Sequence, residues 1–210
     1  MAKTVIDFLA SSLGERREEP NKELAKKIIV LKDKKAIAEL AEHLSDNDKN
    51  IQSDCIKVLY EIGEQKPELI AGYDKEFLAL LDSKNNRLVW GAMTALDCIA
   101  AISPDSIYKK LPKILEVAEA GSVITKDHGV GILIKLSADA KYAAKTMPLL
   151  IGMLKTCAMN QLPMYAENAI PVVSEKFKKE VIAVLNKRLP DIDKESKRKR
   201  VEKVIKKLSK

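Results

Sequence analysis

The sequence repeats itself about every 37 residues, and a period of this length is typical of paired helices. The segment Pro67-Glu68-Leu69-Ile70 is echoed by Pro104-Asp105-Ser106-Ile107. Apolar and small residues recur with the same period at helical spacing: Cys55, Leu59 and Ile62, then Ala92, Leu96 and Ile99, then Gly129, Leu133 and Leu136, then Ala166, Ile170 and Val173. The pattern predicts an all-α fold, an α-α superhelix or solenoid in which helix pairs stack.

This organisation predicts one repeat domain over residues 1–210 with about five helix pairs. The first helices are predicted over 34–44, 67–82, 104–120, 140–157 and 175–189, and the second over 50–65, 86–102, 123–137, 161–174 and 194–208. The remaining parts are an amphipathic N-terminal helix over 4–13, an unpaired helix over 22–31, the repeats over 34–189 and a basic capping helix over 193–210.

Composition narrows the class of protein. A hydrophobic content of 46% with 32% charged residues excludes a disordered chain. The three cysteines are odd in number and scattered, which favours reduced thiols over a disulfide framework. No apolar run approaches the ~20 residues that span a bilayer. Asp7 interrupts the short apolar run near the N-terminus, which argues against a secretory signal. We therefore expect a cytoplasmic protein.

The net charge of +7 is uneven along the chain. Residues 193–210 hold nine basic and three acidic residues, a net charge of +6, and the rest of the chain sums to +1. This distribution assigns the basicity to the C-terminal tail rather than to the repeats.

The paired helices resemble HEAT repeats, with armadillo repeats as the close alternative. The resemblance rests on the period, on prolines inside the first helices at Pro112 and Pro148, and on the spacing of Cys55, Leu59 and Ile62 in a second helix. It covers about residues 34–210. It implies a fold rather than a function, because this superfamily includes transport factors, phosphatase scaffolds, adaptors and a few enzymes. It also implies that the second helices line a concave surface.

A stripe of polar and small residues follows the second helices outside their core positions. Its charges are mixed, which argues against a groove for nucleic acid. Its small residues, among them Gly91 and Thr94, either form the floor of a groove for a helix or peptide, or let neighbouring helices pack closely. The candidate partner-binding residues on or beside the stripe are Asp54, Lys57, Arg87, Trp90, His128, Lys135, Tyr165 and Asn168.

The sequence predicts no catalytic, cofactor or metal site. His43 and His128 are the only histidines, and neither has a metal-ligand spacing to a cysteine. Gly129-Val130-Gly131 lacks the strand and the further residues of a phosphate loop. Trp90, the only tryptophan, has two interpretations: an exposed anchor for a partner, or a plug at the junction between repeats.

The C-terminal tail can dock as the last helix, because Val201, Val204, Ile205 and Leu208 have helical spacing. Its outward basic residues are either the polar face of a cap or a contact for nucleic acid, an acidic protein or an anionic membrane. The tail has no aromatic residue, so a nucleic-acid contact would be to phosphates. The tail residues chosen as candidates are Lys197, Arg198, Lys199, Arg200, Lys203 and Lys207.

The leading functional hypothesis is a non-catalytic scaffold that binds a protein or peptide through the concave second-helix surface. The alternative is a nucleic-acid binder similar to HEAT-like glycosylases that remove alkylated bases from DNA. The resemblance to these enzymes is in fold and size only, and no catalytic residue carries over. A third hypothesis is self-assembly through the N-terminal segment with Phe8 and Leu9.

Overall fold

The computed structural model describes residues 3–210. Within this range the regular structure consists of helices without strands, so the predicted all-α class is confirmed. The chain divides into two compact units, the first ending at His128 and the second running from Gly129 to Lys210. We call them unit 1 and unit 2 and describe each by itself.

Unit 1 begins with a 3₁₀ turn over Val5–Phe8. Its helices are α1 (Glu19–Leu31), α2 (Lys34–Glu42), α3 (Lys49–Gln65), α4 (Asp74–Ala79), α5 (Asn86–Ile99), α6 (Pro104–Ala120) and the first part of α7 (Val123–Ser137). Unit 2 contains the rest of α7 and then α8 (Ala140–Thr156), α9 (Leu162–Ala169), α10 (Glu175–Arg188) and α11 (Glu195–Leu208).

Alternate helices stack on one another in both units. In unit 1, α1 packs on α3 and α3 packs on α5, while α2 and α4 pack against α3 and α5 respectively. In unit 2, α8 packs on α10 and α9 packs on α11. This is the arrangement that the period predicts, since each pair buries its apolar faces against the next pair.

The core positions that the repeat predicts are buried. Leu59 and Ile62 of α3 and Leu96 and Ile99 of α5 are completely inaccessible to solvent. In α11, Val201, Val204 and Leu208 are also buried, so the basic C-terminal segment docks through its apolar stripe. The apolar spacing alone was therefore sufficient to locate these helices.

Polar residues before the helices satisfy amides that the helix leaves without a partner. The Asp48 side chain accepts from the amide of Asn50 at 2.7 Å, and the Asn85 side chain accepts from the amide of Arg87 at 3.1 Å. Asp33 caps α2 in the same way.

The N-terminal predictions need correction. The helix expected over 4–13 is only the 3₁₀ turn Val5–Phe8, followed by turns up to Gly14, which has a positive φ of 72°. The helix expected over 22–31 begins earlier, at Glu19, because Pro20 suits the first turn of a helix. Helix α1 packs on α3 and contacts the 3₁₀ turn, and in residues 3–210 no complete helix precedes it.

Two later helices are shorter than predicted. The segment 67–82 is broken into 3₁₀ turns around α4, with the poor helix former Gly72 near its middle. Helix α9 ends at Ala169 and continues as a 3₁₀ turn over Ile170–Val172 that contains Pro171. Proline cannot donate the backbone bond that would extend the helix.

Within residues 3–210, Cys55, Cys98 and Cys157 are not joined in disulfides. In the range 3–210, the helices are all too short or too polar to cross a membrane.

Candidate functional site

The second helices of unit 1 place polar and ionisable side chains side by side. These side chains come from successive turns of α3 and α5 and from the first turns of α7. We call this surface the second-helix face and define it by Lys57, Glu61, Glu64, Arg87, Trp90, Asp97 and His128.

Lys57 lies at one side of this face and contacts two carboxylates. Its Nζ is 2.8 Å from Glu61 Oε1 and 3.0 Å from Glu18 Oε2, and 4.7 Å from the centre of the Tyr60 ring. Burial alone would lower the pKa of Lys57, but its hydrogen bonds to Glu61, Tyr60 and Glu18 raise that pKa above the usual lysine range. Lys57 therefore stays charged and links α3 to the residue that precedes α1.

Glu64 lies one turn beyond Glu61 on α3, and its carboxyl is partly shielded from water. The surrounding protein partly desolvates its carboxyl, and the charge of Glu61 is close by, so the pKa of Glu64 is raised. Lys57 and His128 act in the opposite direction but do not reverse the shift. This position therefore favours an added positive charge.

His128 connects α7 to α5 through both ring nitrogens. Its Nδ1 is 2.9 Å from Asp97 Oδ2, and its Nε2 is 2.9 Å from Thr94 Oγ1. Thr94 is 7% exposed, and its hydroxyl also donates to the carbonyl of Trp90 at 2.9 Å. The three polar side chains hold α7 against α5 at the second-helix face.

The number of hydrogen bonds that Thr94, His128 and Asp97 can form at once depends on the protons that the imidazole carries. An ionised Asp97 only accepts, so His128 Nδ1 must carry a proton. If the single Thr94 hydroxyl proton goes to the Trp90 carbonyl, Nε2 must also carry a proton to bond the hydroxyl oxygen. All three hydrogen bonds therefore coexist only when His128 is an imidazolium.

Hydroxyl, imidazole and carboxylate follow one another here in the order used by nucleophilic hydrolases. The other requirements for that chemistry are not met at Thr94. Its hydroxyl is largely buried within α5, and the neighbouring α5 amides donate within their own helix rather than towards a substrate oxygen. Within residues 3–210, His, Cys, Asp and Glu side chains form no group of three that could hold a metal ion.

Two positions of the predicted stripe, Asp54 and Gly91, lie against the preceding second helix of the stack. Asp54 accepts from the Asn21 side chain of α1 at 2.7 Å. A Cβ at Gly91 would lie 2.5 Å from Ile56 of α3. Asp54 therefore joins α3 to α1 by a hydrogen bond, and Gly91 allows α5 to approach α3 closely. The close-packing interpretation of Gly91 is the right one.

Arg87 and Trp90 occupy the first two turns of α5. Arg87 is exposed, and Trp90 is half-buried. Because residues three apart share one side of a helix, they lie on the same side of α5. The partial burial of Trp90 leaves part of the indole accessible beside Thr94 and Asp97.

The candidates of unit 2 differ in exposure. Tyr165 is only 2% exposed, so it belongs to the core and does not lie at the surface as the stripe predicted. The proline at the start of α9, Pro163, is buried with it. Lys135 is half-buried, and Asn168 is exposed.

Much of the predicted basic tail is occupied by contacts within unit 2. Arg200 forms a bidentate pair with Glu167 of α9, at 2.8 and 2.6 Å. Arg198 donates to the Ile192 carbonyl, and Lys197 donates to the Asn160 side chain. Lys199 pairs with Glu195 in its own helix. Lys203 and Lys207 are exposed on the same helix.

The two units carry opposite net charge. Unit 1 has 19 basic and 22 acidic residues, a net charge of −3, whereas unit 2 has 18 basic and eight acidic residues, a net charge of +10. The basicity therefore extends beyond residues 193–210 into the rest of unit 2. Assigning it to the tail alone was too narrow.

Two of the solved structures with similar folds are designed armadillo repeat proteins. A designed armadillo repeat protein in complex with the peptide (KR)4 matches with a TM-score of 0.69 and 15% identity, over 90% of this chain and 87% of that one. A computationally designed armadillo repeat protein for modular peptide recognition matches with a TM-score of 0.66 and 16% identity, over 89% and 86%.

A natural protein has a similar fold. The archaeal HEAT-like repeats protein from Thermococcus onnurineus NA1 matches with a TM-score of 0.50 and 14% identity, over 92% of this chain and 97% of that one. This chain has an armadillo/HEAT-like repeat fold. No protein-family model matches the sequence, and no curated protein matches it.

Within this armadillo/HEAT-like fold, sequence reasoning missed Glu18, Glu64 and Asp97. Asp97 lies three residues from Thr94, and Glu64 lies seven residues from Lys57, so the helical spacing of the stripe could have included both. Glu18 precedes α1, and no local pattern places it near Lys57 of α3. Only the stacking of α1 on α3 brings these two side chains together.

Proposed function

We propose that this chain is a non-catalytic repeat scaffold that binds a peptide or an extended protein segment through the second-helix face of unit 1. The observation that carries the proposal is the row of ionisable side chains on α3, α5 and α7, which lie outside the core and are partly exposed. Two armadillo designs with a similar fold support it, one in complex with a peptide and one designed for modular peptide recognition. Location in the cytoplasm stays a prediction.

Charge favours a partner with basic side chains. Unit 1 has a net charge of −3, and the pKa of Glu64 is raised, first because burial partly removes water from its carboxylate and then because Glu61 is close by. A lysine or arginine placed beside Glu64 would compensate for the water that its carboxylate has lost. Lys57 is already neutralised by Glu18 and Glu61, so it opposes such a partner only weakly.

Trp90 gives this proposal a direct readout. It is the only tryptophan of the chain and lies on the proposed face, so its fluorescence reports on occupation of the face. The full chain is titrated with matched peptides, one set alternating lysine and arginine, one alternating aspartate and glutamate, and one neutral. We expect the basic set to change the Trp90 emission and to release or absorb heat in calorimetry.

Two matched variants localise the binding. Glu64→Gln removes one carboxylate of the second-helix face. It should lower the affinity for basic peptides about 2- to 5-fold, which corresponds to the loss of one exposed ion pair. Glu119→Gln makes the same change on the exposed side of α6 and should leave the affinity unchanged. Absence of binding by every peptide set rejects the proposal, and equal binding of acidic peptides rejects the proposed charge of the partner.

Unit 2 supports a second candidate, sequence-independent binding to nucleic-acid phosphates. Its net charge of +10 and the exposed Lys203 and Lys207 of α11 favour it. In anisotropy titrations with a labelled duplex, each lost phosphate contact should lower the salt slope by about one. Lys203→Glu with Lys207→Glu should therefore lower it by about two. The matched pair Lys109→Glu with Lys110→Glu, on α6 of unit 1, should not change it.

A further inference from the structure

An apolar groove lies at the N-terminal end of unit 1. It encloses about 510 Å³ between the segment that contains the 3₁₀ turn, α1 and the start of α2. Leu24 and Ile28 of α1 form a buried floor, while Phe8, Leu13 and Leu31 stand around it. None of these residues belongs to the second-helix face.

The side chains around the groove are unusually exposed for their size. Phe8 is 42% exposed, Leu13 is 54% exposed and Leu31 is 73% exposed. Single exposed apolar residues are common, but several around one concave floor mark an interaction site. Water contact with these three side chains is unfavourable, so covering them would stabilise the bound state.

The groove follows from the incomplete first helix pair. In unit 1, α2 and α4 cover α3 and α5 as the first helices of their pairs. The corresponding element before α1 is the four-residue turn Val5–Phe8, which is too short to cover all of the apolar side of α1. The space that a full helix would fill stays open above Leu24 and Ile28.

We propose that a second copy of this chain covers the groove, with the same surface on both copies forming a two-fold interface. Such an interface must supply protrusions and a cavity from one surface. Phe8 and Leu13 provide the protrusions beside a floor that can receive them. The other occupant to be tested is a different protein, which would leave the purified chain monomeric.

The charges on the rim of the groove are complementary to those on the same rim of a second copy. Glu23 and Lys27 both line the groove and lie four residues apart on α1. When two copies of a helix run antiparallel across a two-fold axis, residue 23 of one copy can face residue 27 of the other. Lys27 is exposed, and the ion pair of Glu23 with Lys26 at 3.7 Å is exposed and contributes little to stability. Two reciprocal ion pairs can therefore form.

Sedimentation velocity over a wide concentration range tests the proposal. The unmodified chain should shift from its monomer mass of 23.3 kDa to twice that mass as its concentration rises. Leu31→Glu should stay monomeric, because it places a charge in the covered groove. Val30→Glu is the matched control: Val30 is 79% exposed and does not line the groove, so this variant should still dimerise.

A charge exchange tests the reciprocal pairing. Lys27→Glu alone should weaken the dimer, since glutamates would then face glutamates, and adding Glu23→Lys should restore it. Circular dichroism checks that each variant keeps its helices. A chain that is monomeric at every concentration overturns the proposal. So do a dimer that survives Leu31→Glu, an equal loss with Val30→Glu, and a failure of the charge exchange to restore association.

Discussion

The carboxylate of Asp54, on α3, accepts a hydrogen bond from the side-chain amide of Asn21, on α1, over 2.7 Å. The second oxygen of Asp54 accepts from the backbone amide of Ser11 at 2.7 Å, and Asn21 in turn accepts from the amide of Ala10 at 2.9 Å. Asn21 is 1% exposed. These bonds hold the N-terminal segment on α1 and α3, so Asp54 has a structural role that its position on the stripe did not suggest.

We expect Asp54→Ala to destabilise the chain by roughly 1–3 kcal/mol, because the Ser11 amide and the Asn21 amide lose their acceptor in a poorly hydrated place. Urea unfolding followed by circular dichroism measures the change. Glu68→Ala, at an exposed position before α4, serves as the control and should change stability by less than about 0.5 kcal/mol. Equal effects of the two substitutions would contradict the structural role of Asp54.

Gly91→Ala tests the close approach of α5 to α3. An added Cβ would lie 2.5 Å from Cγ1 and 2.9 Å from Cγ2 of Ile56, which is buried and cannot move freely. Overpacking of this kind should cost about 1–3 kcal/mol in thermal or urea unfolding.

The control for Gly91→Ala is the same substitution at Gly152, in α8, where an added Cβ meets no atom within 4 Å. There alanine should stabilise by about 0.5–1 kcal/mol, because it restricts the unfolded chain and favours the helix. A stabilising Gly91→Ala would show that α5 and α3 are farther apart than the structure places them.

Leu96→Ala tests the helical register of the repeat. Leu96 is completely buried in α5, and its truncation should lower the free energy of unfolding by roughly 2–5 kcal/mol. Leu149→Ala, at a leucine of α8 that is 43% exposed, should cost much less. A loss near zero for Leu96 would mean that this side chain does not face the core.

The pair of Glu167 and Arg200 predicts a pH effect. The hydrogen bonds from Arg200 hold the pKa of Glu167 below its ordinary value of 4.5, and Glu167 raises the pKa of Arg200. Because the folded pKa of Glu167 is below the unfolded one, the pair stabilises above pH 4.5, and the stabilisation is lost as the pH falls through the folded value.

Thermal unfolding of the unmodified chain and of Glu167→Gln at several pH values measures this contribution. The Arg200 side chain is 44% exposed and the Glu167 side chain is 37% exposed. The difference in stability near pH 7 should therefore be small, at most about 1 kcal/mol. It should vanish in acid, well below the ordinary glutamate pKa. A difference that persists unchanged in acid would assign the effect to helix propensity rather than to the ion pair.

The sequence predicted the second helices well because their apolar spacing is regular. Leu59 and Leu96 occupy equivalent positions one period apart, and both are fully buried. The prediction of one helix over 67–82 was wrong, because apolar residues continue through this segment although Gly72 interrupts the helix. Periodicity records which residues can face a core, but it does not record where the backbone ceases to be helical.

The candidate site was harder to predict than the fold. Arg87 is exposed, and Lys57, Trp90 and His128 are half-buried, so their role in binding stays a prediction. Tyr165 is buried. A stripe on one helix does not show how closely the preceding second helix approaches. Asp54 and Gly91 have the spacing of surface positions, but both contact the preceding second helix. These contacts depend on how the helices stack and not on the local sequence.

The contacts that join neighbouring second helices connect residues close together in the chain. The pairs Asn21–Asp54, Thr94–His128, Asp97–His128 and Glu167–Arg200 are separated by only 31 to 34 residues. Closing such short loops costs little chain entropy, and a low contact order accompanies rapid folding. Folding can therefore start at any helix pair and spread to its neighbours. In hydrogen exchange, the loss of one such contact should speed the exchange of the adjoining pair before that of distant pairs.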